Sequence, residues 1–110
     1  MADMREYKGT IRRAVKAEKD YDKNWNWTVK AVNKGKATIG WGYLDYIGET
    51  DNFIVEIVED ETCPAVVGTM PNGVKKYAFI GDSRWDDAKT FEEAVAVIIH
   101  SMATSAHYTY

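Results

Sequence analysis

One segment of this chain constrains the fold more than any other, because it can be paired with itself almost rung by rung. Asn33-Lys34-Gly35 reads as a three-residue hairpin loop, with glycine in the place that favours a left-handed backbone. Pairing Val32 with Lys36 across it sets Ala31 against Ala37, Val29 against Ile39, Trp27 against Trp41 and Trp25 against Tyr43. These residues share one face, because strand side chains alternate. The other face carries Asn26, Thr28 and Lys30 against Gly42, Gly40 and Thr38. One face is broad and aromatic, the other thin and polar. An antiparallel sheet must bury one face, so the aromatic set reads as core wall rather than as a stacking platform for bases or sugars.

The remaining segments extend this sheet. Residues 7–16 alternate, with Tyr7, Gly9, Ile11, Arg13 and Val15 on one side and Lys8, Thr10, Arg12, Ala14 and Lys16 on the other. That pattern predicts a half-buried strand. The hairpin occupies strands over about 25–33 and 36–46. The β-branched run over about 53–59 favours a strand whose apolar side is Phe53, Val55 and Ile57. A short helix capped by Thr50 is the competing reading. Pro71-Asn72-Gly73 makes a second hairpin of residues 65–70 and 74–80, since proline fixes φ and Asn-Gly tolerates positive φ. Thr90 and Glu93 form a capping box that opens a helix over about 90–103. Phe91, Ala94, Val95, Ile98, Ile99 and Met102 recur on it at helical spacing. The expectation is an α+β domain: an antiparallel sheet of five to six strands in hairpin order, with one C-terminal helix packed on one face.

With 110 residues, 45% of them hydrophobic, the chain suits one domain with one core, residues 1–110. No linker, repeat or low-complexity segment divides it. The first residues lack the apolar stretch of a signal peptide, and the longest aliphatic run, 94–99, is too short to span a bilayer. A single cysteine, Cys63, excludes an internal disulfide and points to a reducing cytoplasm. The net charge of −3 is unevenly spread. Residues 1–36 carry ten Lys/Arg and five Asp/Glu, whereas residues 37–110 carry four and twelve. Seven acids and no base lie between Asp45 and Glu61. Neighbouring basic and acidic strands would account for this, and so would a partner-binding face.

No residue pattern points to catalysis, a cofactor or a metal. His100 and His107 share a helix side but lack a third ligand, and Cys63 reads as a small buried residue. Ser83 does not sit in a nucleophile elbow, and the chain has no phosphate loop or dinucleotide fingerprint. The expected function is therefore a non-enzymatic binding protein docking on another protein. Trp85, Tyr21, Tyr108 and Tyr110 are the candidate anchors, because aromatic residues favour interfaces. An exposed edge strand offers a further route, to a partner or to a homodimer. Short acidic single-domain chains of this type are what bacteriophages and mobile elements encode to modulate host proteins; this is a likeness of type and not of motif. The alternative is a small nucleic-acid-binding domain that uses a basic patch of Lys8, Arg12, Lys16 and Lys30 with nearby aromatics.

Overall fold

The computed structural model describes residues 3–21, 23, 25–43 and 51–109. One 3-10 turn, Met4–Tyr7, leads into helix α1, Lys8–Tyr21. Five strands follow: β1 Trp25–Val32, β2 Lys36–Tyr43, β3 Asp51–Val58, β4 Ala65–Thr69 and β5 Lys75–Phe79. Helix α2, Phe91–Thr109, closes the order. The strands form one sheet in the order β1-β2-β3-β4-β5, and every neighbouring pair is antiparallel. The fold is α+β, with the sheet in hairpin order and the C-terminal helix on one face.

The strand expected at 7–16 is a helix instead, and the physical reason is a competing period. Met4, Tyr7, Ile11, Ala14 and Val15 fall at helical spacing, and they are the residues that the core receives: Met4, Ile11 and Val15 are buried, and Tyr7 and Ala14 pack against them. The period-two reading had to place Gly9 and Arg13 on the apolar side. Asp3 caps the preceding turn, accepting from the Arg5 backbone N–H at 2.9 Å. Its carboxyl is pulled down to about 2, first by the Arg5 side chain that clasps it and then by that backbone bond.

The first hairpin keeps the rungs Trp25–Tyr43, Trp27–Trp41 and Val29–Ile39, but its register shifts between Val29 and Ala31. Val32 therefore pairs with Ala37, and Ala31 with Thr38. A bulge at Lys30 absorbs the extra residue and turns Val32, rather than Ala31, toward the core. The turn closes through the Asn33 N–H to the Lys36 carbonyl at 2.8 Å. Gly35 does not take the expected left-handed backbone; Gly73, at φ +88°, is the glycine with positive φ among the described residues. Gly73 lies in the predicted Pro71-Asn72-Gly73 turn, which the Gly73 N–H closes on the Met70 carbonyl at 2.9 Å.

Residues 53–58 lie within β3, with Phe53 and Val55 fully buried on its inner side. Each such residue stabilises the fold by about 1.5–3 kcal/mol. Trp27, Trp41 and Phe53 make the aromatic centre of the core, with ring centroids 5.8 to 6.4 Å apart. The aromatic face of the hairpin is thus core wall, but it is α1 that lies against β1, while α2 covers β3, β4 and β5. Both helices share the inner face. Thr10 Oγ1 donates to Glu92 Oε1 at 3.0 Å, and His100 Nδ1 meets Glu18 Oε1 at 2.6 Å, tying α1 to α2. The α2 cap is as expected: the Glu93 N–H donates to Thr90 Oγ1 at 3.1 Å, and Glu93 Oε2 accepts from the Lys89 N–H. The helix runs on past 103 to Thr109, with Ala106 still fully buried.

Where α2 crosses β4, the approach depends on Gly68. A Cβ there would stand 2.6 Å from both Met102 Cγ and Sδ and 3.1 Å from Ile98 Cγ2. Gly68→Ala is expected to destabilise the protein by about 1–3 kcal/mol through overpacking, measured by denaturant unfolding. An unchanged midpoint would mean that α2 rides higher over β4 than described.

Candidate interaction surface

With both helices on the inner face, the outer face of the sheet is left without a covering helix or strand among the described residues. Its two halves differ. Over β1 and β2 it is thin and polar: Asn26, Thr28 and Thr38, with Gly40 roofed by the Lys30 stem. Over β3, β4 and β5 it is mixed: Glu56 lies beside Val67 and Lys75 beside Thr69, while an apolar group gathers toward the end of the sheet where Val58, Ala65 and Phe79 align. The register aligns Val67 with Tyr77, Ala65 with Phe79 and Val58, and Ile54 with Thr69. Val67 and Ala65 are buried, while Tyr77 and Phe79 remain 50% and 40% exposed with their rings stacked 5.8 Å apart. Where Val58, Val67, Tyr77 and Phe79 point outward, the face departs from the apolar-in, polar-out alternation normal to a sheet with one solvated face.

The loop after β5 carries a further exposed ring. Asp87 and Ala88 donate backbone N–H bonds to the Phe79 carbonyl, and the Phe79 N–H donates to Asp87 Oδ2 at 2.9 Å. Asp86 Oδ2 accepts from the Ser83 N–H, and Ser83 Oγ accepts from the Trp85 N–H. These bonds hold a tight turn from which Trp85 projects, 81% exposed, with the Arg84 guanidinium 4.8 Å above its ring. The polar loop fixes its aromatic residue instead of leaving it to fold inward.

The edge strands are less available than the face. The bulge at Lys30 interrupts the β1 edge. Residues 86–88 take up the backbone of Phe79, and an Ile80–Ala88 bridge continues that cover. Both are recognised ways of blunting a sheet edge.

The predicted candidates disperse. Trp85 stands exposed on the loop that follows β5. Tyr21 is 84% exposed at the end of α1, away from it in sequence and element. Tyr108 lies within the α2 span, but its side chain is outside the described set, and Tyr110 lies outside the described residues. Lys8, Arg12 and Lys16 are exposed, and as helix residues four apart they still line one side of α1. Lys30 does not join them, because it lies over Gly40 on the face opposite α1. The expected four-residue patch is therefore split by the sheet. Cys63 is exposed rather than buried, in the loop that Asp60 organises by accepting from Thr62 and Cys63.

Tyr77, Phe79 and Arg84 were not among the candidates. Their signal is that the large residues of 75–79 fall on one parity and Ala78 on the other, so either the core or the surface had to take two rings. Only the register of β5 decides which.

One shallow, open depression of about 590 Å³ runs along the solvent side of α2, lined by Lys76, Ala96, Val97, His100, Ser101 and Thr104. Lys76 Nζ donates to Ser101 Oγ at 3.3 Å. Among the described residues no group of three His, Cys, Asp or Glu side chains comes together to hold a metal ion, and no helix is long and apolar enough to cross a membrane. Comparison with known proteins finds no family model, no curated protein and no solved structure that matches the chain.

The four tryptophans separate by environment: Trp27 and Trp41 buried, Trp25 half-buried, Trp85 exposed. Emission is expected to contain a blue component resistant to acrylamide and a red, quenchable one. Trp85→Phe should remove most of the quenchable part; if quenching is unchanged, Trp85 is not the exposed ring.

Proposed function

We propose that this chain is a non-enzymatic binding protein that docks on another protein through the outer face of β3–β5 and the Trp85 turn. The observation that carries this reading is the apolar group on the outer half-sheet, with Tyr77 and Phe79 half-exposed where a one-sided sheet should be polar. Tyr, Trp and Arg are the residues that anchor interfaces, and Tyr77, Trp85 and Arg84 supply all three from one region. The blunted edges favour contact through the face over strand addition, whether to a partner or to a second copy. A single compact domain of this kind suits a modulator that inhibits or retunes its partner, of the sort that bacteriophages and mobile elements encode. A free, exposed Cys63 suits a reducing compartment such as the cytoplasm.

The full chain used as bait should retain a protein in near-stoichiometric amount from lysate of its own cell. Tyr77→Asp with Trp85→Ala should lose it, while Lys8→Gln with Arg12→Gln keeps it, all three baits melting at similar temperatures. Equal retention by the three baits, or no stoichiometric protein, would count against the reading.

One observation favours a second reading, nucleic-acid binding. Because residues 8–21 are helical, Lys8, Arg12 and Lys19 fall within a narrow arc of α1 with Lys16 beside them, a stripe about 16 Å long. Asp20 offsets part of it, 3.5 Å from Lys16, and the chain is acidic overall. On this reading the protein shifts oligonucleotides at low salt, with an affinity that falls roughly as the third power of salt concentration. Lys8→Gln with Arg12→Gln should abolish the shift. No shift of single- or double-stranded probes at low salt removes this reading.

A further inference from the structure

We propose that the outer face of β4 and β5 takes an arginine-bearing basic segment of a protein partner, its guanidinium groups seated on Trp85, Tyr77 and Phe79. This rests on the docking reading above and adds the chemistry of the occupant. An apolar group on the sheet alone would accept many partners. The charge around it narrows the choice. Val58, Ala65 and Phe79 lie side by side in the register, and the Ile80 N–H donates to the Pro64 carbonyl at 3.0 Å. The β3–β4 connection and the loop after β5 therefore leave the sheet at the same end. They carry Asp60, Glu61, Asp82, Asp86 and Asp87 against Arg84 and Lys89, while Glu59 acts on Tyr7 on the helix side.

These loops adjoin the Phe79 end of the sheet, so carboxylates and exposed rings come from the same end of the fold, the combination that favours a cation with a flat face. An acidic segment would be repelled there, and a neutral apolar one would leave the acidic rim unanswered. The molecule already shows the fit once, since Arg84 lies over the Trp85 ring at 4.8 Å. The Tyr77 and Phe79 rings are nearly parallel, 11° apart, and offer a second flat surface on the same strand. Arginine suits these surfaces better than lysine, because its guanidinium is planar, stacks on aromatics and is more weakly hydrated. Asp60 is held ionised further into acid than an ordinary carboxyl by the Thr62 backbone and hydroxyl donors, so part of the rim charge is built in.

The test titrates the full chain by calorimetry, at about 0.15 M salt, with a short arginine–glycine peptide and its lysine and glutamate counterparts. Saturable binding of the arginine peptide is expected, about tenfold tighter than the lysine peptide, with none for glutamate. Trp85→Ala or Tyr77→Thr should weaken it about tenfold, and Lys8→Gln should leave it unchanged. Trp85 is exposed, so its truncation leaves the core intact, which far-UV circular dichroism checks. No saturable arginine binding, equal arginine and lysine binding untouched by Trp85→Ala, or a preference for glutamate overturns the proposal. A photo-crosslinker at Tyr77 separates the two claims. If it captures one defined protein while the arginine peptide fails to bind, docking stands and the basic occupant falls. If it captures nothing and the peptide fails, both fall.

Discussion

At Gly68 the backbone of β4 lies open to α2, and Met102 and Ile98 fill the space that a side chain would take. Other contacts lean on this one. With α2 drawn down over β3, β4 and β5, Val55, Val66 and Ala78 are fully buried, and α1 has the β1 side of the same face left to occupy. The two helices then meet each other along Thr10–Glu92 and Glu18–His100. Both layers of a two-layer domain are thereby complete. Nothing further in the described chain lies over the outer face, and its composition becomes a question about something other than the fold.

Much of the plan is legible in the sequence. The two hairpins, β3 and the capped start of α2 each rest on local chemistry: alternating faces, Pro-Asn-Gly, β-branched residues, Thr90 with Glu93. What was not legible had a common cause. Residues 7–16 satisfy two periods at once, and only the long-range fact that Met4, Ile11 and Val15 enter one core decides between them. The bulge at Lys30 is equally non-local, because its benefit is Val32 turning inward beside Ala37. The candidate surface inherits this problem. Tyr77 and Phe79 are exposed because Ala78 is the inward residue of β5, a choice fixed by pairing with β4. Trp85 was legible as an exposed ring because a lone tryptophan in a polar loop needs no register to be exposed.

The uneven charge of the chain also has a structural explanation. Lys36 lies opposite Glu56 across β2 and β3, and Arg13 reaches Glu92 at 3.6 Å, so some basic and acidic residues do answer each other within the fold. These pairs account for little of the imbalance. Half of the ten basic residues among 1–36, Lys8, Arg12, Arg13, Lys16 and Lys19, stand exposed on α1, and such exposed pairs as Lys16–Asp20 contribute at most a few tenths of a kcal/mol. The acids of the later chain gather instead in the loops at one end of β3, β4 and β5. A helix and a set of loops, rather than two neighbouring strands, carry the opposite charges.

A sheet offers a partner two things, its edges and its free face. In this chain the edges are modified and the face is not. Lys30 interrupts one edge with a bulge, and Asp87 and Ala88 use up the backbone of Phe79 at the other. Each device removes hydrogen-bonding groups that would pair indiscriminately with any extended chain. The face keeps rings and aliphatic side chains, whose contacts depend on shape and on the charge set around them. A surface of that kind discriminates among partners through complementarity, whereas an open edge discriminates poorly. The same segment that closes the β5 edge also holds Trp85 out in solvent, so one loop removes the unselective backbone contact while leaving a large ring exposed.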